Sequence, residues 1–170
     1  MATSEQHLET GAPLTVVITS LNGLITSTTS GGAQSAKLDL GDSRAERMLL
    51  RASIGFTVAP TAGGLVEFWA GFSSLSTAAS GNPANLSGAD AAYTGYINDC
   101  DQAKNQLWFV GAISVSINTQ TPAAQTSDVG VFVPLDRYMM VVACNRASQV
   151  LTTITTTQAV TVIPLMDEAQ

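Results

Sequence analysis

Alternation of apolar and polar residues with a period of two limits this chain more than any other feature. Leu50, Ala52, Ile54, Phe56 and Val58 share one face of an extended segment, and Arg51, Ser53, Gly55 and Thr57 share the other. After a turn at 60–64, Val66, Phe68, Ala70 and Phe72 alternate with Leu65, Glu67 and Trp69. Further on, Leu107, Phe109, Gly111, Ile113, Val115 and Ile117 alternate with Trp108, Val110, Ala112, Ser114 and Ser116. A strand puts every second side chain on one face, whereas a helix would scatter these rows around its axis. Residues 137–144 are apolar on both faces, which predicts a central strand covered on both sides. Shorter runs at 14–19, 23–29, 36–40, 129–133, 150–156 and 159–163 complete the set, and Asn22-Gly23 is a hairpin signal between the first two. Eight to ten short strands with almost no helical periodicity predict an all-β fold. Within that class a jelly-roll-like β-sandwich of about eight strands fits best.

The chain has 170 residues, enough for one domain with its own core. Residues 1–13 are polar, end in Gly-Ala-Pro and read as an N-terminal arm; 14–166 form the β-sandwich domain, and 167–170 an acidic C-terminal tail. Between 73 and 105 the strand pattern gives way to Ser, Ala, Gly, Asn and Asp, a length of loop that is usually functional or a binding element. A helical turn or two fits at 99–106.

Charge and chemistry exclude several classes. Charged residues make up 12% of the chain and the net charge is −6, with seven Lys and Arg dispersed along it. That leaves no basic footprint for nucleic acid and disfavours anionic membranes. No run is long and apolar enough for a membrane span, and the N-terminal residues lack a signal peptide's basic start and apolar stretch. Synthesis in the cytoplasm is expected, with Cys100 and Cys144 as two reduced thiols. The lone histidine, His7, lies in the arm, so neither a hydrolytic triad nor a zinc site can be assembled. Asp39 with Asp42, and Asp99 with Asp101, are too sparse for a calcium loop. No catalytic residue, metal or cofactor is expected. Glu67 beside Trp69 is the nearest approach to a catalytic carboxylate and reads more simply as a surface residue.

A surface poor in charge desolvates cheaply and suits protein–protein packing, although a neutral sandwich exterior looks the same. Trp69 and Trp108 stand opposite their strands' apolar rows, which places both indoles, and Glu67 with them, on outer faces. Trp is enriched where interfaces concentrate their energy. Three roles are open to these rings: contact with a neighbouring subunit, cover by a loop or arm of the same chain, or stacking against a ligand. In a carbohydrate- or receptor-binding module, Tyr93 and Tyr96 would be the stacking platforms, with Asn and Asp of 80–101 reading hydroxyls.

The stretches 64–69 (GLVEFW), 88–95 (GADAAYTG), 106–111 (QLWFVG), 131–138 (VFVPLDRY) and 141–145 (VVACN) resemble a group of small tailed-phage virion accessory or decoration proteins. The similarity spans roughly two-thirds of the chain and carries no catalytic signature. It implies a structural virion protein of jelly-roll type, made in the host cytoplasm and acting as a homo-oligomer, a trimer by analogy, on capsid or other virion proteins. It implies no nucleic-acid or membrane partner.

Overall fold

The computed structural model describes residues 8–26, 32–41, 45–95, 100–101, 104–119, 123–154 and 158–167. Eleven strands are present among them: β1 Leu8–Thr10, β2 Leu14–Thr15, β3 Gly32–Gln34, β4 Leu38–Asp39, β5 Arg47–Ile54, β6 Leu65–Ser73, β7 Ala91–Tyr93, β8 Trp108–Ser114, β9 Gln125–Phe132, β10 Tyr138–Asn145 and β11 Ala159–Asp167. β1 and β2 both pair along one side of β11, as the two halves of a broken strand, and β3 and β4 pair in the same manner along β10. One sheet therefore runs β1/β2–β11–β5–β9 and the other β7–β3/β4–β10–β6–β8, every pairing antiparallel. Counting each broken strand once and leaving out the short β7, the order is first–eighth–third–sixth in one sheet and second–seventh–fourth–fifth in the other. That is the jelly-roll connectivity of two Greek keys.

The periodic rows build the core. Met48, Leu50, Ala52 and Ile54 of β5 and Val160 and Val162 of β11 face Val66, Phe68 and Ala70 of β6 and Met139, Val141 and Ala143 of β10 across the sandwich. The other face of β10 is buried too, as its two-sided apolarity requires. Met140, Val142 and Cys144 lie beneath Ala84, Leu86, Tyr93 and Cys100, with Trp69 and Leu107 packed at the rim. The described part of the connection between β6 and β8 thus covers the second sheet, and each large apolar side chain it buries contributes about 1.5–3 kcal/mol.

Several expectations change. Leu8–Thr10 of the expected arm extends the first sheet against Leu165, Met166 and Asp167, so strand structure begins before residue 14 and runs past 166. Asn22-Gly23 does not make a hairpin. Leu24 N–H donates to Leu21 O at 3.2 Å, with Asn22 at φ −69°, ψ 121° and Gly23 at φ 73°. Those angles define a type II turn, which lacks the twist that pairs two strands. A short 3-10 helix, Thr19–Leu21, precedes it. Of the expected run 150–156, the described residues 150–154 contribute one bridge, Leu151 with Phe56, in place of a strand. Cys100 and Cys144 are joined in a disulfide with Cα atoms 6.6 Å apart, not held as separate thiols. The expectation rested on the expected compartment, and the fold brings the two thiols together across a separation of 44 residues.

Candidate functional site

Two features of the second sheet decide where the aromatic candidates lie. Trp69 keeps the outer-face position its row assigns and is paired with Val142 on β10. Its indole meets the Phe109 ring at 4.7 Å between centroids, and Lys104 Nζ stands 5.0 Å above it. Trp69 Nε1 is buried without a hydrogen-bond partner. Cover from its own chain therefore takes up this ring.

Trp108 departs from expectation. Between Phe68–Gly111 and Trp69–Phe109 the register of β6 with β8 shifts, leaving Val110 as an extra residue. This bulge reverses the alternation. Phe109 moves to the outer face beside Trp69, and Trp108 pairs with Ala70 on the core-facing side. It remains 46% exposed because β8 is an edge strand, and it lines a cleft of about 310 Å³ with Phe72, Leu107 and Leu135. The outer-face aromatic that the periodicity assigns to Trp108 is Phe109.

Glu67 is held in an ion cluster. Its carboxylate meets Lys104 Nζ at 2.6 Å and Arg146 Nε at 3.6 Å, and both cations also reach Asp101 at 2.5 Å. Lys104 and Arg146 are each about four-fifths buried, so the pairs are shielded from solvent more than ordinary surface bridges. The Lys104 hydrogen bond, aided by the Arg146 charge, holds the Asp101 carboxyl below its ordinary pKa despite partial burial. The cluster fixes Asp101 and the 3-10 turn Lys104–Gln106 to the outer face of β6 and β10.

Tyr93 is fully buried, and its hydroxyl donates to Ala84 O at 2.8 Å. No ring face is left for a ligand, so Tyr93 is not a stacking platform. Its alternation with small residues in 88–95 gives no sign that β7 would be covered. Tyr96, Asp42, Asp99 and His7 lie outside the described residues. Asp39 accepts two hydrogen bonds from Arg137, at 2.9 and 2.8 Å, and one from Gly41 N–H.

Sequence reasoning missed the joint between the sheets. β9 carries its own bulge against β5: Leu50 pairs with Gly130 and Arg51 with Asp128, leaving Val129 extra. The two bulges abut. A Cβ on Gly111 would collide with Val129 O, and one on Gly130 with Val110 O. Among the described residues no ladder joins β8 to β9, yet these contacts set the two edges antiparallel and side by side. Phe109, Val131, Val133 and Leu135 are 50%, 54%, 51% and 58% exposed, on β8, β9 and the turn after β9. The signal that could have revealed the joint is the repeated Val-Gly inside an apolar run, since an isolated Gly in a strand marks a bulge or a close backbone approach.

A scan against protein-family models and a search of curated proteins found no match for the chain.

Proposed function

We propose that this chain is a structural protein of a tailed-phage particle, a capsid decoration or accessory protein that acts by oligomeric assembly on a larger virion surface. The observation that carries the reading is the set of exposed large apolar side chains on β8, β9 and the turn after β9. Trp108, Phe109, Val131, Val133 and Leu135, two of them aromatic, each stand about half exposed. Contiguous exposed apolar surface marks a contact site, and aromatic residues supply much of the energy when such a surface is covered. The resemblance of five stretches to phage accessory proteins gives the particle its place in the proposal. The low charge of the chain keeps the cost of desolvating the rest of the contact small.

The test is the solution mass of the purified chain by light scattering behind size exclusion, for wild type and for a Phe109→Ser, Val131→Ser double variant. The expected result is a wild-type oligomer, with three copies as the analogy implies, that falls to monomer in the variant while its strand circular dichroism is retained. A wild type that stays monomeric at every concentration overturns the self-assembly part of the proposal.

A further inference from the structure

Lys37, between β3 and β4, ends in a cage of oxygens supplied by the turn after β6. Its Nζ donates to Leu75 O and Thr77 O at 2.8 Å, to Ser80 O at 3.0 Å and to Ser73 Oγ at 3.2 Å. An ammonium has three protons for these four oxygens, so charge holds the cage as well as paired hydrogen bonds. The Tyr138 ring stands 6.0 Å from the same nitrogen, and an aromatic face attracts any cation.

The turn is closed around this point. Asn82 Nδ2 donates to Ala78 O at 2.6 Å and to Leu86 O at 2.8 Å. Ser80 N–H donates to Thr77 O at 3.1 Å, and Leu75 N–H donates to Ser73 Oγ at 3.2 Å. Carbonyl oxygens aimed at one point repel one another unless a positive charge stands between them. The Ser73 hydroxyl, 3.3 Å from both Leu75 O and Ser80 O, has one proton and can serve only one of them.

The donor set states what kind of cation fits. None of the four oxygens is a carboxylate, which magnesium and calcium favour. Their spacing around Nζ is also wider than the about 2.0–2.1 Å of magnesium or about 2.3–2.6 Å of calcium. Neutral backbone carbonyls are the donors that replace the hydration shell of potassium.

We propose that the turn at 73–81 is a monovalent-cation site that the chain fills with its own Lys37 ammonium, and that it takes potassium or ammonium when this side chain is cut back. Leu75 and Thr77 are exposed, so an ion can reach the cage from solvent. The inference does not depend on assembly through β8 and β9, so each can fail alone.

The test is isotope-labelled Lys37→Ala titrated with potassium chloride or ammonium chloride. Ionic strength is held constant with tetramethylammonium chloride, whose cation is too bulky for the cage. Potassium and ammonium are expected to shift the Leu75 and Ser80 amides saturably. They should also slow exchange of both amides roughly tenfold relative to tetramethylammonium alone, about what one hydrogen bond to a charged group returns. Wild type, with its cage filled, should show neither change. Lys37→Met, which is uncharged but still blocks the approach, should respond less. If Lys37→Ala is unfolded in tetramethylammonium chloride, the same salts are compared by the return of strand circular dichroism. Equal behaviour in all three salts overturns the proposal and leaves water as the partner of the carbonyls. An equal response in wild type or in Lys37→Met overturns it as well, since the ion then binds outside the cage.

Discussion

Val110 and Val129 are the extra residues of two β-bulges that meet where the edges of the two sheets come together. Val110 is buried in the main core and Val129 packs against it. Each is followed by a glycine whose missing side chain admits the other strand's carbonyl. Gly111→Ala and Gly130→Ala should each cost about 1–3 kcal/mol through forced separation of the strands. Urea denaturation measures the loss. Because both changes push apart the same contact, the double variant should cost less than the sum. Full additivity would mean that the two bulges do not share one joint.

This corner also marks the limit of what the sequence discloses. β5 and β6 are legible because each buries a full row, and a period of two sustained over eight or nine residues is incompatible with a helical face; β10 shows as a run apolar on both faces, and β11 only in its first half, 159–163. β1 is hidden because Leu8-Glu9-Thr10 is too short and too polar to show a row. Periodicity puts Trp108 on the wrong face because one inserted residue reverses all positions before it in β8, and a row of mixed apolar residues looks the same on either side of the slip. For Glu67 and Trp69 the outward placement holds. What covers them, the segment after Cys100, depends on a long-range closure that no local pattern encodes.

Lys37 acts as an internal cation for the turn after β6. Its Nζ reaches Leu75 O and Thr77 O at 2.8 Å, Ser80 O at 3.0 Å and Ser73 Oγ at 3.2 Å. Burial pushes its pKa down, yet these acceptors are what an ammonium satisfies and an aliphatic chain cannot. Lys37→Met should cost about 1–3 kcal/mol and speed amide exchange locally at 75–81, with little change at Leu50 or Ile54. Lys37→Arg should not restore the turn, because a planar guanidinium cannot replace a compact three-proton donor. Equal exchange in wild type and Lys37→Met would remove this role.

Four aspartates set the acid side of the stability profile. Arg137 and Gly41 N–H lower the pKa of Asp39, Arg51 lowers that of Asp128, and Lys104 lowers that of Asp101. At Asp90 burial acts upward but is outweighed by hydrogen bonds from Thr19 and Ser20. All four folded values lie below the ordinary 3.8, so the folded chain binds fewer protons than the unfolded one in that window. Their stabilisation is present in full above about pH 5 and is lost as pH falls through the folded values. The urea midpoint should therefore be level from neutral to about pH 5 and decline below about pH 4. Asp101→Asn should make that decline shallower. A decline of unchanged steepness in Asp101→Asn would exclude it as a contributor.

The Cys100–Cys144 disulfide ties the covering segment to the central strand of the second sheet, with both cysteines almost wholly buried. Gly32 on the neighbouring β3 makes room for it, since a Cβ there would lie 3.2 Å from Cys100 Sγ and collide with Ala143 O. Replacing both cysteines by alanine should cost about 2–4 kcal/mol, as expected for a cross-link closing a loop of this length. The loss should not be spread evenly. Met140, Val142, Leu86 and Tyr93 form a cluster distinct from the main core, so the covering segment can loosen while the sandwich stays closed. In the variant, amide exchange should accelerate at 84–93 and 104–107, and Trp69 emission should move to longer wavelength. Gly32→Ala, which crowds the bond without removing it, should shift both readouts in the same direction by less. If exchange in the variant rises equally in β5 and β11, the disulfide stabilises the domain as a whole, and the outer cluster does not open independently.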